Sequence, residues 1–288
     1  MNIIPLTRQE GLLLLNFESP DMKVENAHIS KEELTRIHVA LGHRNIKSLG
    51  TLLGVDVSKF PGCESCMKSK SIRCKLDLPQ SLSKTATRNG SVWHADAFGP
   101  VKEPTIKGNH AYGLLMQDDH SHLMCLYPLN NRSLIPQLLD GHFGSLKTTR
   151  VITPLPTNGV VLHTDNEFKS HLISEVCIKY GISQHFTPPY TPQLNGRIER
   201  AIVTITNMGK AILSGAILFN LLTPNMQPLR YWFWAMKHAT TVLNCTPSPV
   251  LKWSIPQEVF TGLLVDKKFL INMPPFGAKA FVHIPASR

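Results

Sequence analysis

The stretch Pro-Pro-Tyr-Thr-Pro-Gln-Leu-Asn-Gly-Arg-Ile-Glu-Arg, residues 188–200, leads from a proline-rich loop into a predicted helix. Asn195 and Gly196 suit the helix entry, where free backbone N–H groups need an acceptor. Four isoleucines then recur on one helical face and predict a buried stripe: Ile198, Ile202, Ile205 and Ile212. Glu199 lies beside this stripe. Taken alone, an acid in a first helical turn is most simply explained as a partner of the helix dipole.

Two upstream aspartates change that interpretation because both lie in strand-like settings. Residues 92–100 alternate like a strand that ends at Gly-Pro, and Asp96 lies within it. The apolar residues of the stretch 159–165 run continuously up to Leu162, as in a strand covered on both faces, and Asp165 lies where that strand ends. Sites in α/β sheets gather at strand ends, so we expect Asp96, Asp165 and Glu199 to meet. Clustered carboxylates repel unless a cation neutralises them, and oxygen ligands favour Mg²⁺ or Mn²⁺.

The segments between these acids predict an α/β fold. Two apolar runs, 112–116 and 123–126, flank a polar turn and predict a hairpin. A helix is expected from Asn131 to about Leu146, and another from Phe168 to Tyr180, ended by Gly181. A short strand, 182–186, then leads into the stretch quoted above. The aromatic run 232–236 is near helical spacing, which favours core packing or a subunit interface over base stacking.

The N-terminal part carries a candidate zinc site with the pattern His38-x4-His43-x19-Cys63-x2-Cys66. Two cysteines at this spacing place two thiolates on one turn, and two histidines complete a tetrahedral shell for Zn²⁺. Four protein ligands leave no open position, so such a metal would be structural. The alternative is a pair of exposed histidines near an unrelated cysteine pair. Ser30 and Glu33 predict a capped helix start just before the histidines.

The composition favours an anionic partner. A net charge of +10 and a pI near 9.4 point to nucleic acid first and an acidic membrane surface second. Lys68, Lys70, Arg73 and Lys75 follow the cysteine pair without an acid between them. They predict phosphate contacts, the alternative being a solvated linker. No apolar run approaches the roughly 20 residues that span a bilayer, and no signal peptide is evident, so we expect no membrane association.

These motifs, in this order, resemble the integrase region of a copia-type LTR retrotransposon polyprotein. The resemblance rests on the His/Cys pattern, on Trp93-His-Ala-Asp96 with Phe98-Gly-Pro100, on Asp165-Asn166 and on Pro189–Arg200. Pieces around 231–235, 244–248 and 276–285 extend it from about residue 25 to the end of the chain. Each short piece is a weak signal, and their order makes the combination specific.

The resemblance implies an RNase H-like core with a small helical zinc-binding module before it and a helical or irregular extension after it. The expected boundaries are an unassigned segment 1–25, a zinc-binding module 26–76, a linker 77–90, a catalytic core 91–245 and a truncated C-terminal extension 246–288. It further implies a multimeric enzyme, and the lack of an evident signal peptide predicts that the protein stays in the nucleus and cytoplasm. That enzyme would join the 3′-hydroxyl ends of element DNA to target DNA, with Asp96, Asp165 and Glu199 as metal ligands. DNA is the expected partner and RNA a second one, with Arg197 and Arg200 added to the nucleic-acid contacts.

The sequence departs from the family at one place that matters. The family usually has Asp-Asn-Gly-x-Glu-Phe after the second strand, whereas this chain has Asp165-Asn-Glu-Phe168. The spacing from Asp165 to Glu199 is shorter by the same two residues. A shorter turn could displace Asp165, and metal sites tolerate only tenths of an ångström in ligand distance. The alternatives to an integrase are therefore a non-catalytic nucleic-acid-binding remnant of a decayed element and a different RNase H-like nuclease.

Overall fold

The computed structural model describes residues 6–9, 12–15, 29–58, 60, 62–70, 86–148, 159–186 and 192–279. For 6–9, 12–15, 70, 148, 192–195 and 224 it describes the backbone alone. The chain begins with an antiparallel pair, β1 (Leu6–Gln9) and β2 (Leu12–Leu15), where the sequence predicted no element.

Three helices precede the sheet: α1 (Lys31–Ala40), α2 (Ile46–Leu53) and α3 (Glu64–Lys70). The predicted cap of α1 is confirmed, because Ser30 Oγ accepts a hydrogen bond from Glu33 N at 3.1 Å. Between α1 and α2 the chain turns through two consecutive left-handed residues, Gly42 and His43, with φ of 60° and 59°.

A five-stranded mixed sheet follows, built from β3 (Val92–Phe98), β4 (Tyr112–Asp118), β5 (Met124–Leu129), β6 (Val160–Thr164) and β7 (Ile182–Phe186). The strand order is β5-β4-β3-β6-β7. The pairs β5–β4 and β4–β3 are antiparallel, whereas β3–β6 and β6–β7 are parallel. The predicted hairpin and α/β class are therefore confirmed.

Helices cover both faces of the sheet and continue beyond it. They are α4 (Ile135–Thr148), α5 (His171–Tyr180), α6 (Pro192–Leu218), α7 (Trp232–Cys245), α8 (Pro256–Thr261) and α9 (Lys267–Ile271). The predicted stop of α5 is confirmed, since Gly181 caps it with φ of 66°. The predicted entry of α6 at Asn195 and Gly196 is wrong. The helix begins at Pro192, whose fixed φ suits a first helical position.

Side chains at alternating strand positions lie on opposite faces of the sheet and belong to two separate hydrophobic cores. Trp93, Ala95 and Leu162 face α4 and α5 in the first core. The second core lies on the opposite face and joins the sheet to α6, α7 and the N-terminal helices, so Leu115 shares one cluster with Ile37. The N-terminal helices are therefore packed on the same hydrophobic core as one face of the sheet.

Helix α6 is long and apolar, with a mean hydropathy of 1.5 in its most apolar window. In the described part of the chain, residues 196–218 are the one helix long and apolar enough to cross a membrane by length and composition. The prediction that no apolar run reaches that size is wrong for this helix. Its inward-facing side chains are nevertheless buried within the protein: Ile198 and Ile205 are fully buried, and Ile212 is 3% exposed. A helix that is buried in a protein core can have the same length and apolar composition as one that crosses a membrane.

The predicted packing role of the aromatic run is confirmed. Trp232, Phe233 and Met236 are each at most 7% exposed and belong to the second core. Trp232 Nε1 also donates a hydrogen bond to Glu103 O at 3.1 Å, so its polar edge is satisfied at the margin of the core.

The first core contains a histidine that should make the fold sensitive to acid. His142 is 3% exposed, packs edge-on against Trp93 with ring centroids 4.6 Å apart, and has Nδ1 2.7 Å from Tyr127 Oη. Burial lowers the pKa of His142 to about 4. In the unfolded chain the ring binds a proton below its usual pKa of about 6.5. The unfolded state therefore binds more protons in this window, and the free energy of unfolding falls as the pH falls from about 6.5 to about 4.

We expect His142→Phe to reduce the loss of stability between about pH 7 and about pH 4.5 by roughly 2–3 kcal/mol. The measurement is denaturant unfolding at the two pH values, and the comparison with the parent cancels all shared titrations. Tyr127→Phe is the control, because it removes the hydroxyl partner and keeps the buried ring. If the free energy of unfolding of His142→Phe depends on pH as steeply as that of the parent, His142 is not the source of the acid sensitivity.

Candidate metal centre and carboxylate site

His38, His43, Cys63 and Cys66 come together between α1 and α3. One ligand atom of each lies within 4.8 Å of the others. His38 Nε2 is 3.2 Å from Cys66 Sγ, and His43 Nδ1 is 3.1 Å from Cys63 Sγ. A tetrahedral Zn²⁺ with ordinary bond lengths would place such nitrogen and sulfur atoms about 3.5 Å apart. The four side chains therefore fit a tetrahedral ion and could hold a metal such as zinc.

The two histidines are oriented by their surroundings. His38 Nδ1 lies 3.0 Å from the main-chain oxygen of Arg44, which leaves Nε2 as the ligand atom. His43 lies over α6 at Gly215, where a β-carbon would stand 2.8 Å from His43 Nε2. A β-carbon at Gly42 would stand 2.7 Å from Ile212 Cδ1. Both glycines therefore permit a close approach between the turn that carries His43 and the middle of α6.

A cavity of about 420 Å³ adjoins this cluster. All four candidate ligands line it, together with Thr204, Asn207 and Met208 of α6 and Leu243 of α7. The candidate metal centre is therefore built at a junction between the N-terminal helices and the long helices that cover the sheet.

Asp96 lies in β3, and Asp165 directly follows the adjacent parallel strand β6. His94 of β3 is paired with His163 of β6, and continuing this register by two residues places Asp96 beside Asp165. Trp93 and Ala95 face the first core, so Asp96 faces the opposite side, which α6 covers. Asp165 directly follows β6 and caps the next turn, because its Oδ1 accepts from Glu167 N at 3.0 Å.

The electrostatics of Asp96 reflect this neighbourhood. Its pKa is raised to about 7, first by burial and then by the negative charges of Asp165, Glu199 and Glu167. Burial also raises the pKa of Asp165, and Glu167 adds to the rise. The number and oxygen chemistry of these carboxylates suit hard divalent cations.

Glu199 lies on α6, in the helical layer that covers the Asp96 face of the sheet. Its neighbour Ile198 is fully buried in the second core, whereas Glu199 itself is exposed. Packing of α6 on β3 and β4 fixes which side of the helix faces the sheet. The position of Glu199 is therefore set by burial of the residue before it.

The shorter segment after Asp165 forms a single 3-10 turn, Asn166–Phe168. Phe168 is fully buried in the first core and anchors this turn. Glu167 is exposed and forms an ion pair with Arg132, whose other guanidinium nitrogen donates to Gly99 O at 3.2 Å. Arg132 thus joins the end of β3 to the turn after β6, and it also lowers the pKa of Asp165.

The predicted phosphate-binding residues differ in their surroundings. Lys68 is exposed and pairs with Glu64 at 2.5 Å, and Arg200 is exposed with Nε donating to Gly196 O at 2.8 Å. Arg197 instead forms a half-buried ion pair with Asp119 Oδ1 at 2.6 Å and also donates to the Asp119 main-chain oxygen. The Lys70 side chain, Arg73 and Lys75 lie outside the described residues.

Sequence reasoning missed the residues that support the carboxylate side of the sheet. Asp119 accepts hydrogen bonds from His94 Nε2 at 2.8 Å and from Arg197, so it ties β3 to the start of α6. His94, His163 and His185 form one row across β3, β6 and β7. The alternation of His94 with Asp96 and of His163 with Asp165 could have placed these histidines on the same face. Nothing in the sequence pairs Asp119 with Arg197.

Comparison with known proteins relates the chain to the Pol polyproteins of copia-type plant retrotransposons, which confirms the resemblance read from the motifs. It is 27% identical over 256 residues to the retrovirus-related Pol polyprotein from transposon TNT 1-94 of Nicotiana tabacum, covering 86% of this chain. It is 27% identical to that of transposon RE2 and 28% identical to that of RE1, both of Arabidopsis thaliana, over 81% and 71% of this chain. No protein-family model matches the chain.

The chain spans only 13–18% of the length of these relatives. The similarity therefore concerns a small part of each of these polyproteins.

We expect Cys66→Ser to abolish stoichiometric zinc binding, because three remaining ligands hold the ion far more weakly. Metal content after purification and exhaustive dialysis measures this directly. Cys125→Ala, at a cysteine on β5 away from the cluster, is the matched control and should keep the metal. Equal zinc content in the parent and in Cys66→Ser would exclude the proposed ligand set.

Proposed function

We propose that this chain is the integrase region of a retrotransposon polyprotein, a polynucleotidyl transferase that joins 3′-hydroxyl ends of element DNA to target DNA. The observation that carries this proposal is the position of Asp96 in β3 and of Asp165 directly after the adjacent parallel strand β6, with Glu199 close enough to raise the pKa of Asp96. The similarity to Pol polyproteins supports it independently.

The fold agrees with this proposal at a coarse level. A mixed sheet with two antiparallel and two parallel strand pairs, covered by helices on both faces, is compatible with an RNase H-like core. In such a sheet the acids come from two central strands and from a helix packed over them. β3, β6 and α6 supply them here.

The carboxylates fit the cations that the proposed reaction needs. Bound Mg²⁺ or Mn²⁺ would activate the attacking oxygen and stabilise the leaving one in an in-line displacement at phosphorus. Asp96, Asp165 and Glu199 would hold these cations, since Asp96 lies within the electrostatic influence of both other acids.

The remaining residues would hold this arrangement and receive the substrate. Arg132 neutralises Glu167, so one negative charge beside Asp165 is already compensated within the protein. Asp119 and Arg197 fix the start of α6 and with it Glu199. Arg200 and Lys68 remain exposed and could contact phosphates of a DNA substrate. We extend the proposal to a homo-oligomer that acts in the nucleus, with element ends and target DNA as partners and RNA as a second ligand.

The His/Cys centre has a different proposed role. Its four protein ligands would close the coordination sphere of Zn²⁺, so the metal would stabilise structure and take no part in the phosphorus chemistry. The cluster fits this role because it lies at a packed junction of helices.

The decisive experiment is a strand-transfer and end-processing assay on duplex DNA carrying the ends of the related element, with Mg²⁺ or Mn²⁺. We expect activity in the parent and a loss of at least roughly 100-fold in Asp96→Asn, which removes a charge that the cations need. Glu258→Gln, an acid of α8, is the matched control and should retain activity. DNA binding without turnover in both the parent and Asp96→Asn would overturn the enzyme in favour of a non-catalytic nucleic-acid-binding remnant.

Cation binding can be tested without turnover. We expect Mn²⁺ at about ten times its dissociation constant to stabilise the parent by about 1.4 kcal/mol, as mass action requires for one site. Asp96→Asn and Asp165→Asn should lose most of this effect, because each removes a negative ligand. Thermal unfolding with and without Mn²⁺ measures it, with the His/Cys site first saturated with zinc. Equal stabilisation of the parent and both variants would place the Mn²⁺ elsewhere.

A further inference from the structure

Arg44 connects two distant parts of the chain through different groups. Its main-chain oxygen is the hydrogen-bond partner of His38 Nδ1, at 3.0 Å. Its guanidinium group donates from Nε to Thr246 Oγ1 at 2.7 Å and from Nη2 to Pro247 O at 2.8 Å. One residue therefore contacts both a candidate metal ligand and the segment that follows α7.

The acceptors of Arg44 are unusual for an arginine. Its two acceptors, Thr246 Oγ1 and Pro247 O, are both neutral, and burial removes much of the water around the guanidinium group. A buried guanidinium group with neutral acceptors forms no ion pair, so these contacts stabilise the fold little by charge attraction. Their main effect is to fix the positions of the groups that Arg44 joins. Thr246 is fully buried and donates its own hydroxyl proton to Val242 O at 2.7 Å. The acceptor is therefore held in one orientation.

Other contacts hold the same junction in one arrangement. His238 Nε2 of α7 lies 3.1 Å from Ala40 O at the end of α1. The close approaches of Gly42 to Ile212 and of His43 to Gly215 leave no room for the turn to shift toward α6. A displacement of the Arg44 side chain would therefore be passed to its main-chain oxygen and to His38.

From these contacts we propose that Arg44 is a positioning residue for the metal centre, which couples metal binding at His38 to the docking of the segment after α7. The inference rests on the proposed zinc site. Metal binding would fix His38, His38 would fix the Arg44 main chain, and the Arg44 side chain would hold Thr246 and Pro247. Partners of metal-bound histidines commonly affect metal affinity by about 10–100-fold, which sets the size of the expected effect.

The test measures the dissociation constant for Zn²⁺ on the full chain, by competition with a chromophoric chelator. We expect Arg44→Ala to raise this constant by roughly 10-fold or more. Thr246→Val keeps the shape of the acceptor and removes its oxygen, so it should weaken zinc binding in the same direction. In the double variant Arg44→Ala/Thr246→Val, the loss of zinc affinity should be smaller than the sum of the two single losses, because both substitutions break the same hydrogen bond.

The matched control is Arg36→Ala. Arg36 lies on α1 in the same group of helices, but its side chain is exposed and pairs with Glu33 at 2.6 Å. We expect no change in zinc affinity. A purely structural role of Arg44 would lower stability equally with and without metal and leave the dissociation constant unchanged. That result in Arg44→Ala and Thr246→Val would overturn the proposal.

Hydrogen exchange gives a second readout that needs no substitution. We expect removal of zinc to increase amide exchange at residues 240–247 as well as at residues 31–70. A change confined to residues 31–70 would overturn the coupling while leaving the zinc site intact. Absence of zinc binding in the parent would instead reject the metal centre itself, so the two failures are distinguishable.

Discussion

Burial of the inner side of α6 is the constraint on which the rest of the molecule depends. Ile198 and Ile205 are fully buried, and the same helix packs on β3, β4 and α7 and lies under the turn that carries His43. Because the helix is rigid, its two ends cannot be positioned independently. Its first turns carry Glu199 toward the aspartates, and its later turns support the His/Cys cluster. The two candidate sites are therefore built on one element.

The carboxylate site shows how a fold can hold charges that would otherwise repel. Burial in β3, and after it the charges of neighbouring acids, raise the pKa of Asp96 to about 7. Two nearby acids are already paired within the protein, because Arg132 compensates Glu167 and Arg197 compensates Asp119. These ion pairs neutralise charges close to the three acids of the proposed site. The proposed cations would complete that balance.

Much of this architecture could be predicted from local sequence signals. Strands 92–98 and 160–164, the hairpin and the Gly181 stop follow from alternation and turn residues, and the His/Cys cluster follows from its spacing. The missed features depend on tertiary contacts. The Asp119–Arg197 pair joins residues 78 positions apart, and no local pattern encodes it. The predicted start of α6 is too late because Pro192, which is unfavourable inside a helix, suits the first helical position, where its missing N–H needs no partner.

The docking of α1 and α2 against α6 and α7 has a consequence for biogenesis. Arg44 reaches Thr246 across 202 residues of chain, so the partners of the N-terminal helices leave the ribosome long after those helices. Until then, Leu34, Ile37 and Leu49 have no complete apolar partner surface, and pairings of such long sequence separation form slowly. Docking of α1 and α2 should therefore wait until α7 and the segment after it have been synthesised, and these early helices should depend on chaperones during that interval.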